Sequence, residues 1–524
     1  MHRAGPPQLH QDTRLIESLQ KNGAFRHPVD NVDLIETHVS WLILAGDFVY
    51  KVKKPIKLDF LDFSSLERRR FFCEEELRLN RPWAPDIYLD VVPIVLAGDQ
   101  PMFGGTGDAI DYAVRMRRFD QALRLDHQLD AGELSVADMK ELAVNIASRH
   151  EAVDAAEVSE RARVLRLTQE LMEDNFRELE GCIEEGNLKP LRQWTEREFA
   201  KVRPLLEQRF DDGFVRDCHG DLHLGNLVRL PGGITTFDCI EFNSDLRRID
   251  VMCDIAFLVM DLAARERVDL AAHFLNRYLE VTGDYSGVGA LNLFFVYRCL
   301  VRAKVAAIMS LERTESAEKV NDLRDARFYC SLASRQIAER QPLLVVMHGF
   351  SGSGKTWVSG ELMAALPAVR LRSDVERKRL FDLAETGKSQ SAVGKGIYDE
   401  DANRKSYGHL FDLARQILGS GHSVILDAAF LESGYRSGAI AVAEECNCPI
   451  VIVDVVADRE RMRRRLQERG RESTDASEAD ISVLTYQQSI ADSLTSSERR
   501  LTIECDNSRD IDVTQLISRI RKCN

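Results

Sequence analysis

The sequence predicts an α+β N-terminal domain followed by an α/β domain built on a doubly wound parallel sheet. Three observations predict it. Val39–Lys53 alternates as strand, turn and strand around Ala45-Gly46-Asp47, and residues 133–210 then read as mostly helical. At Gln341-Pro342 the pattern changes, and five apolar strand candidates follow at intervals filled by helical sequence: Leu343–Met347, Val369–Leu371, Ser423–Leu426, Ile450–Val456 and Leu501–Cys505. Between the first of these strands and the next helix lies the glycine-rich run Gly349–Thr356.

A chain of 524 residues is too long for one ordinary domain. Hydrophobic residues make up 44% and charged residues 29%, which excludes a disordered or membrane-embedded chain. The net charge of −14 argues against a nucleic-acid backbone as the main partner. The longest apolar run, Val251–Ala264, is broken by Asp254 and Asp261 and reads as a buried helix, so no membrane partner is expected. Met1–His10 has charge and proline but no apolar core of the signal-peptide kind. The eleven cysteines include no CxxC pair and fit reduced thiols. A cytoplasmic protein is expected; none of these features sets an oligomeric state.

Taken in order, residues 1–30 read as a leader and 31–311 as the first domain. Its opening strands are Trp41-Leu42-Ile43-Leu44 and Phe48-Val49-Tyr50-Lys51-Val52-Lys53. Ser64, with Glu67 three residues on, marks a helix start as a capping box. Further strands fall within 83–119, and a turn-rich segment runs from His219 to Asn243 before more helix at 248–340. Residues 312–340 read as a charged helical connector and 341–524 as the second domain.

The turn-rich segment carries His219-Gly220-Asp221-Leu222-His223-Leu224-Gly225-Asn226, then Phe237-Asp238-Cys239-Ile240-Glu241-Phe242. Asp221 is spaced to orient and deprotonate a hydroxyl, and Asn226 and Asp238 to hold Mg²⁺ against the phosphates of ATP. His219 and His223 lack the remaining ligands of a metal site, and His219 is read as structural. Over about residues 30–310 the sequence resembles the aminoglycoside phosphotransferase and choline kinase superfamily, which implies a bilobal protein-kinase-like fold. As in that family, Gly220 replaces the Arg of protein kinases. The resemblance implies a strand lysine paired with a helix glutamate. Lys51 and Glu76 fit, with Lys53 on the same side as the alternative; the apolar neighbours Phe72, Cys73 and Leu79 leave Glu76 needing a cation. Thr37-His38-Val39-Ser40 is the candidate loop over the phosphates, and Arg115–Phe119 leads into the hinge, with Met116 near adenine.

In the second domain Gly349-Phe350-Ser351-Gly352-Ser353-Gly354-Lys355-Thr356 matches GxxxxGK[ST] between a strand and a helix. The glycines let backbone N–H groups turn inward around phosphate oxygens; Lys355 reaches the β/γ-phosphates and Thr356 binds Mg²⁺. Asp374 ends the second strand, where it can take a proton from an attacking hydroxyl. Arg377, one turn on, can hold an anionic group of the acceptor. Asp427 ends the third strand, in position for Mg²⁺. The helix Asp458–Arg471 is arginine-rich, and Arg465 and Arg469 share a face. These features resemble the P-loop kinase group of bacteriophage polynucleotide 5′-kinase, zeta toxins, gluconate kinase and chloramphenicol phosphotransferase. That resemblance implies Asp374 as general base and Arg465 and Arg469 as lid arginines on ATP phosphates; Tyr398 and Tyr407 also fit it.

The two halves together resemble the bifunctional aminoglycoside phosphotransferase/ATP-binding proteins. The expectation is an ATP- and Mg²⁺-dependent phosphotransferase with two sites acting on hydroxyl groups of small molecules. Two other readings are a P-loop ATPase regulated by a pseudokinase half, which the intact Asp221, Asn226 and Asp238 set opposes, and a nucleic-acid 5′-end kinase, which the acidity of the chain opposes.

Overall fold

The computed structural model describes residues 14–58, 61–313, 316–338, 341–387, 389, 395–472, 477–508 and 511–522. They form two compact units. One comprises the described residues up to Glu170 with Arg209–Asp261; the other comprises Leu171–Gln208 and the residues from Leu262 onward. Among the described residues no helix is long and apolar enough to cross a membrane.

In the first unit, β1 (Val32–Glu36), β2 (Ser40–Ala45), β3 (Phe48–Lys53), β4 (Tyr88–Ala97), β5 (Gln100–Phe103) and β6 (Ala109–Arg117) form an antiparallel sheet in the order β1-β2-β3-β6-β4-β5. Alternation along β3 sends Tyr50 and Val52 into a core with Ile43, Ile94 and Phe103, and turns Lys51 and Lys53 to the opposite face. Helix α1 (Leu66–Asn80) covers that second face, packing Cys73 and Leu77 near Tyr88 and Val114. The helix opens one residue later than the Ser64/Glu67 pattern implied. Ser65 is the cap, its Oγ accepting the Arg68 N–H at 3.3 Å, while Ser64 Oγ donates to Asp62 Oδ1 at 2.6 Å. Beyond the sheet, two short antiparallel ladders, Val215–Asp217 with Arg248–Asp250 and Leu227–Leu230 with Gly233–Thr236, frame the segment His219–Asn226. Helix α2 (Val251–Ala264) follows directly. Sheet lobe, covering helix and helical part with its loop make up the bilobal protein-kinase-like fold.

The second unit begins, after helical sequence, with α3 (Val268–Thr282), α4 (Val288–Glu312) and α5 (Ser316–Gln336). The residues expected as a connector thus include α5, which packs along α4; Gln336 Nε2 donates to Asn292 Oδ1 at 2.7 Å. Then β7 (Leu344–His348), β8 (Val369–Arg372), β9 (Val424–Asp427), β10 (Ile450–Val456) and β11 (Thr502–Asp506) form a parallel sheet in the order β8-β9-β7-β10-β11. Each expected strand is present, shifted by at most a residue. Successive β strands lie on both sides of β7, so the chain turns opposite ways at its C-terminal end, where a crevice forms in sheets of this type. The apolar core of Val345, Met347, Ile425, Val453 and Ile503 lies between this sheet and helices that include α6 (Lys355–Ala365).

Candidate active sites

The N-terminal site is built around a buried carboxylate. Glu76, in the C-terminal half of α1 and 0% exposed, meets Lys51 Nζ at 2.8 Å and Lys53 Nζ at 2.7 Å. Lys51 continues to Asp238 Oδ1 at 2.6 Å, and Lys53 to Glu241. Lys51, the expected partner of Glu76, and Lys53, its alternative, therefore both meet the carboxylate. Lys51 links the helix to the outward, half-exposed Asp238, while Lys53 is fully buried. Burial alone would raise the Glu76 carboxyl, but the two ammonium groups bring it down to about 2. Burial would lower Lys51, and Asp238 and Glu76 overcome it, so Lys51 is held well above its usual range. Glu241 was not singled out in the sequence, although it stands three residues past Asp238.

Asp238 has φ +62°, a left-handed conformation unusual for a non-glycine residue. Two hydrogen bonds hold it there: its N–H donates to Tyr88 Oη at 3.0 Å, and the next N–H, of Cys239, donates to Asn80 Oδ1 at 2.8 Å. In the adjoining loop, Asn226 Nδ2 donates to Asp221 Oδ2 at 2.9 Å and to Asp221 O at 3.0 Å. Asp221 and Asn226 are thus brought together as the spacing implied. His219 is buried, donates through Nε2 to Phe237 O at 2.9 Å and accepts the Asp221 N–H at 3.3 Å through Nδ1. Burial keeps its pKa below the usual value, so it acts as a neutral strut. His223 Nε2 lies 3.4 Å from Asp221 Oδ2. Gly220 has φ +82°, and a Cβ there would lie 2.8 Å from Leu246 O, so the loop admits only glycine at this point.

Two residues of α2 were noted in the sequence only as interruptions of an apolar run. Asp254 accepts the His219 N–H at 3.2 Å and the Gly220 N–H at 2.9 Å, and Asp261 accepts the Leu224 N–H at 2.9 Å. Both are buried and fix the His219–Asn226 loop by its backbone. The signal was available: two carboxylates seven apart share a helix face, and so apolar a helix buries them only if they have donors. The Thr37–Ser40 turn joins β1 to β2, with Thr37 Oγ1 donating to Ser40 O and accepting the Ser40 N–H. Met116 lies on β6 with Tyr112, Phe119 and Phe237 in an apolar cluster.

The C-terminal site follows β7. Lys355 Nζ folds back over the loop to Gly349 O at 2.7 Å and Phe350 O at 2.9 Å. Gly354 has φ +96°, and a Cβ there would meet Asn507 Nδ2 at 2.1 Å. Ser353 is buried, and its Oγ has no hydrogen-bond partner among the described residues, leaving unmet bonding capacity inside the loop. Ser351 N–H donates to Gln487 Oε1 at 2.8 Å. A cavity of about 810 Å³ opens here, within the range of small-ligand sites. Gly352, Gly354, Lys355 and Thr356 line one side, and Asp374, Arg377 and Asp427 line it too.

Asp374 sits in the first turn of α7 (Ser373–Leu380), beyond β8; Arg372 and Asp427 are register partners on β8 and β9, which brings both carboxylates to the same end of the sheet. Asp427 is nearly buried and accepts from Ser359 Oγ at 2.8 Å. Arg377 is 6% exposed, stacks on Tyr398 at 5.1 Å and donates to Ile397 O at 2.7 Å, while its Nε has no partner among the described residues. Burial, with Asp374 and Glu478 nearby, pushes the Tyr398 hydroxyl up. Tyr407 stacks on Tyr435 at 3.8 Å. Arg465, on α8 (Arg459–Glu472), donates to Gly352 O and Ser353 O at 3.3 and 3.0 Å, gripping the outside of the loop. Arg469 belongs to the same helix, and its side chain lies outside the described residues.

Residues 344–494 match the AAA domain family. An uncharacterized protein of Mycobacterium tuberculosis is 29% identical over 447 residues, 83% of this chain and 87% of the relative. Among solved structures, a choline/ethanolamine kinase family protein from Mesorhizobium loti is 13% identical, covers 63% of this chain and 98% of its own, and has a TM-score of 0.37. A gluconokinase from Sinorhizobium meliloti is 16% identical and covers 35% of this chain and 93% of its own, with a TM-score of 0.25. The family match falls on the C-terminal region, over the parallel sheet that carries the Gly349–Thr356 loop.

Proposed function

We propose that the chain is an ATP-dependent phosphotransferase with two Mg·ATP sites, each acting on a hydroxyl group of a small molecule. The observation that carries this is that each unit brings a cation together with carboxylates: Lys51 with Asp238 in one, and Lys355 with Asp374 and Asp427 around a single cavity in the other. In the N-terminal site Glu76 holds Lys51 for the phosphates, and Asn226 and Asp238 offer oxygens to a metal. Asp221 then takes the proton of the acceptor hydroxyl, its carboxylate set by Asn226. In the C-terminal site the loop N–H groups and Lys355 cradle the donor phosphates. Thr356 and Asp427 supply the hard oxygen donors that suit Mg²⁺, and Asp374 is the base. Arg377, buried and with its Nε unpartnered among the described residues, binds an anionic group of the acceptor. Magnesium, when bound, neutralises charge on the phosphate oxygens.

The test is a screen of metabolite mixtures for ATP-dependent gain of one phosphate, using the full chain. Asp221→Asn should lower transfer to one set of acceptors by about 10²–10⁴-fold while ATP binding persists. Lys355→Ala should remove transfer to another set together with nucleotide binding at that site. Conversions that survive unchanged in the double variant would sink the proposal.

A further inference from the structure

β8 is an edge strand of the C-terminal sheet, and a helix covers it. Asn276, midway along α3, accepts the Arg370 N–H at 2.7 Å through Oδ1 and donates through Nδ2 to Ala368 O at 3.0 Å. One buried amide thus takes up two backbone groups of the edge, the kind a further strand would pair. One turn on, Glu280 accepts from Arg370 Nη2 at 2.8 Å. Both side chains are buried. The other arm of that guanidinium, Nη1, donates to Thr356 O at 3.3 Å and reaches Ser359 Oγ at 3.5 Å. Ser359 Oγ in turn donates to Asp427. Arg370 therefore stands behind the first turn of α6 and touches the backbone of Thr356 and the side chain that holds Asp427.

A second tie reaches the acceptor side. Tyr285, just past α3, donates its hydroxyl to Glu376 Oε1 at 2.9 Å, and Glu376 is on the helix that carries Asp374 and Arg377. Asn276, Glu280 and Tyr285 all fall within the sequence of the first expected domain, yet they pack in the same compact unit as the P-loop sheet.

We propose that Glu280 and Arg370 are positioning residues of the P-loop site, so that α3 acts as a built-in activator of that site. The proposal rests on reading the loop as a Mg·ATP site. Glu280 orients Arg370, and Arg370 fixes the Thr356 backbone and, through Ser359, Asp427, the two residues that would offer oxygens to the metal. Partners one step behind metal ligands typically change metal affinity by about 10–100-fold when removed.

The experiment uses the full chain, a fluorescent ATP analogue and a Mg²⁺ titration. The P-loop component is the part of the binding signal lost in Lys355→Ala. Arg370→Lys keeps a charge beside Glu280 but loses the second arm, and should raise the Mg²⁺ concentration for half-saturation about tenfold. Its nucleotide affinity in EDTA should stay at the wild-type value. Glu280→Gln should show the same shift together with a lower Tm. The double variant Glu280→Gln/Arg370→Met leaves no buried charge unpaired, so it should recover thermal stability but not the Mg²⁺ response. Wild-type half-saturation in Arg370→Lys, or in a folded double variant, overturns the proposal. If Lys355→Ala changes no part of the binding signal, the reading of the loop as a nucleotide site fails instead.

Discussion

At the scale of single residues, the buried carboxylate of α1 is the point on which the N-terminal site depends. Glu76 has no exposed surface and two lysines upon it, so its ionised form is favoured despite burial. Its pKa in the folded chain, about 2, is below the ordinary 4.5. The stabilisation it gives is therefore complete above about pH 4.5 and is lost as pH falls toward 2. Glu76→Gln should cost about 3 kcal/mol at neutral pH, the lower end for breaking a buried pair, because Asp238 and Glu241 still face the lysines. It should also flatten the acid limb of stability between pH 4.5 and 2. Denaturant titrations across that range decide it; an unchanged acid limb would mean that another carboxylate governs it. The Lys51 and Glu76 pairing was legible because a strand lysine and a carboxylate among apolar neighbours need each other. The share taken by Lys53 and Glu241 was not, since their meeting depends on how a distant turn folds back onto the sheet.

At the scale of elements, the limits of sequence reading are clearest at α1. Ser64 and Ser65 are adjacent, and Glu67 three residues past Ser64 made the earlier serine look like the cap. The backbone decides otherwise: Ser65 has extended φ and ψ and accepts the Arg68 N–H, while Ser64 turns back to Asp62. Asp62 thus competes for the hydroxyl that the capping box would have used. Ser65→Ala should cost about 1 kcal/mol, and Ser64→Ala only a few tenths. Equal losses on thermal unfolding would restore the earlier boundary. The five strands of the C-terminal sheet were legible almost to the residue, because each is a short apolar run followed by turn or helix chemistry. Helix α2 was legible as a buried helix. Its role was not, because the donors that Asp254 and Asp261 serve lie more than thirty residues upstream, in a loop whose position the local sequence does not specify.

At the scale of the whole molecule, sequence pattern and packing divide the chain at different places. The pattern changes at Gln341-Pro342, where helical sequence gives way to strands, so a cut at residue 341 looks natural. Packing places α3, α4 and α5 with the P-loop sheet. The difference has a physical origin: a sheet edge can be closed by a helix from anywhere earlier in the chain, and composition does not record which helix closes it. A chain beginning at residue 341 would expose the edge of β8, the Arg370 guanidinium without Glu280, and Glu376 without the Tyr285 hydroxyl. Water can satisfy the backbone groups. It cannot restore the apolar packing of α3, whose Leu275 and Leu279 are buried, nor hold Arg370 against Thr356. We expect residues 341–524 alone to unfold at a lower temperature than residues 262–524, and to aggregate more readily. The longer piece should also bind Mg·ATP more tightly, with the difference shrinking when Mg²⁺ is chelated, because the lost contacts stand behind Thr356 and Asp427, the proposed metal ligands, rather than behind the loop N–H groups proposed to hold phosphate. Thermal melts and nucleotide titrations on the two pieces, run side by side with and without EDTA, separate the effects. If the shorter piece matched the longer in both stability and Mg·ATP affinity, the packing of α3 on the sheet would contribute nothing to the P-loop site, and the boundary at 341 would be the functional one.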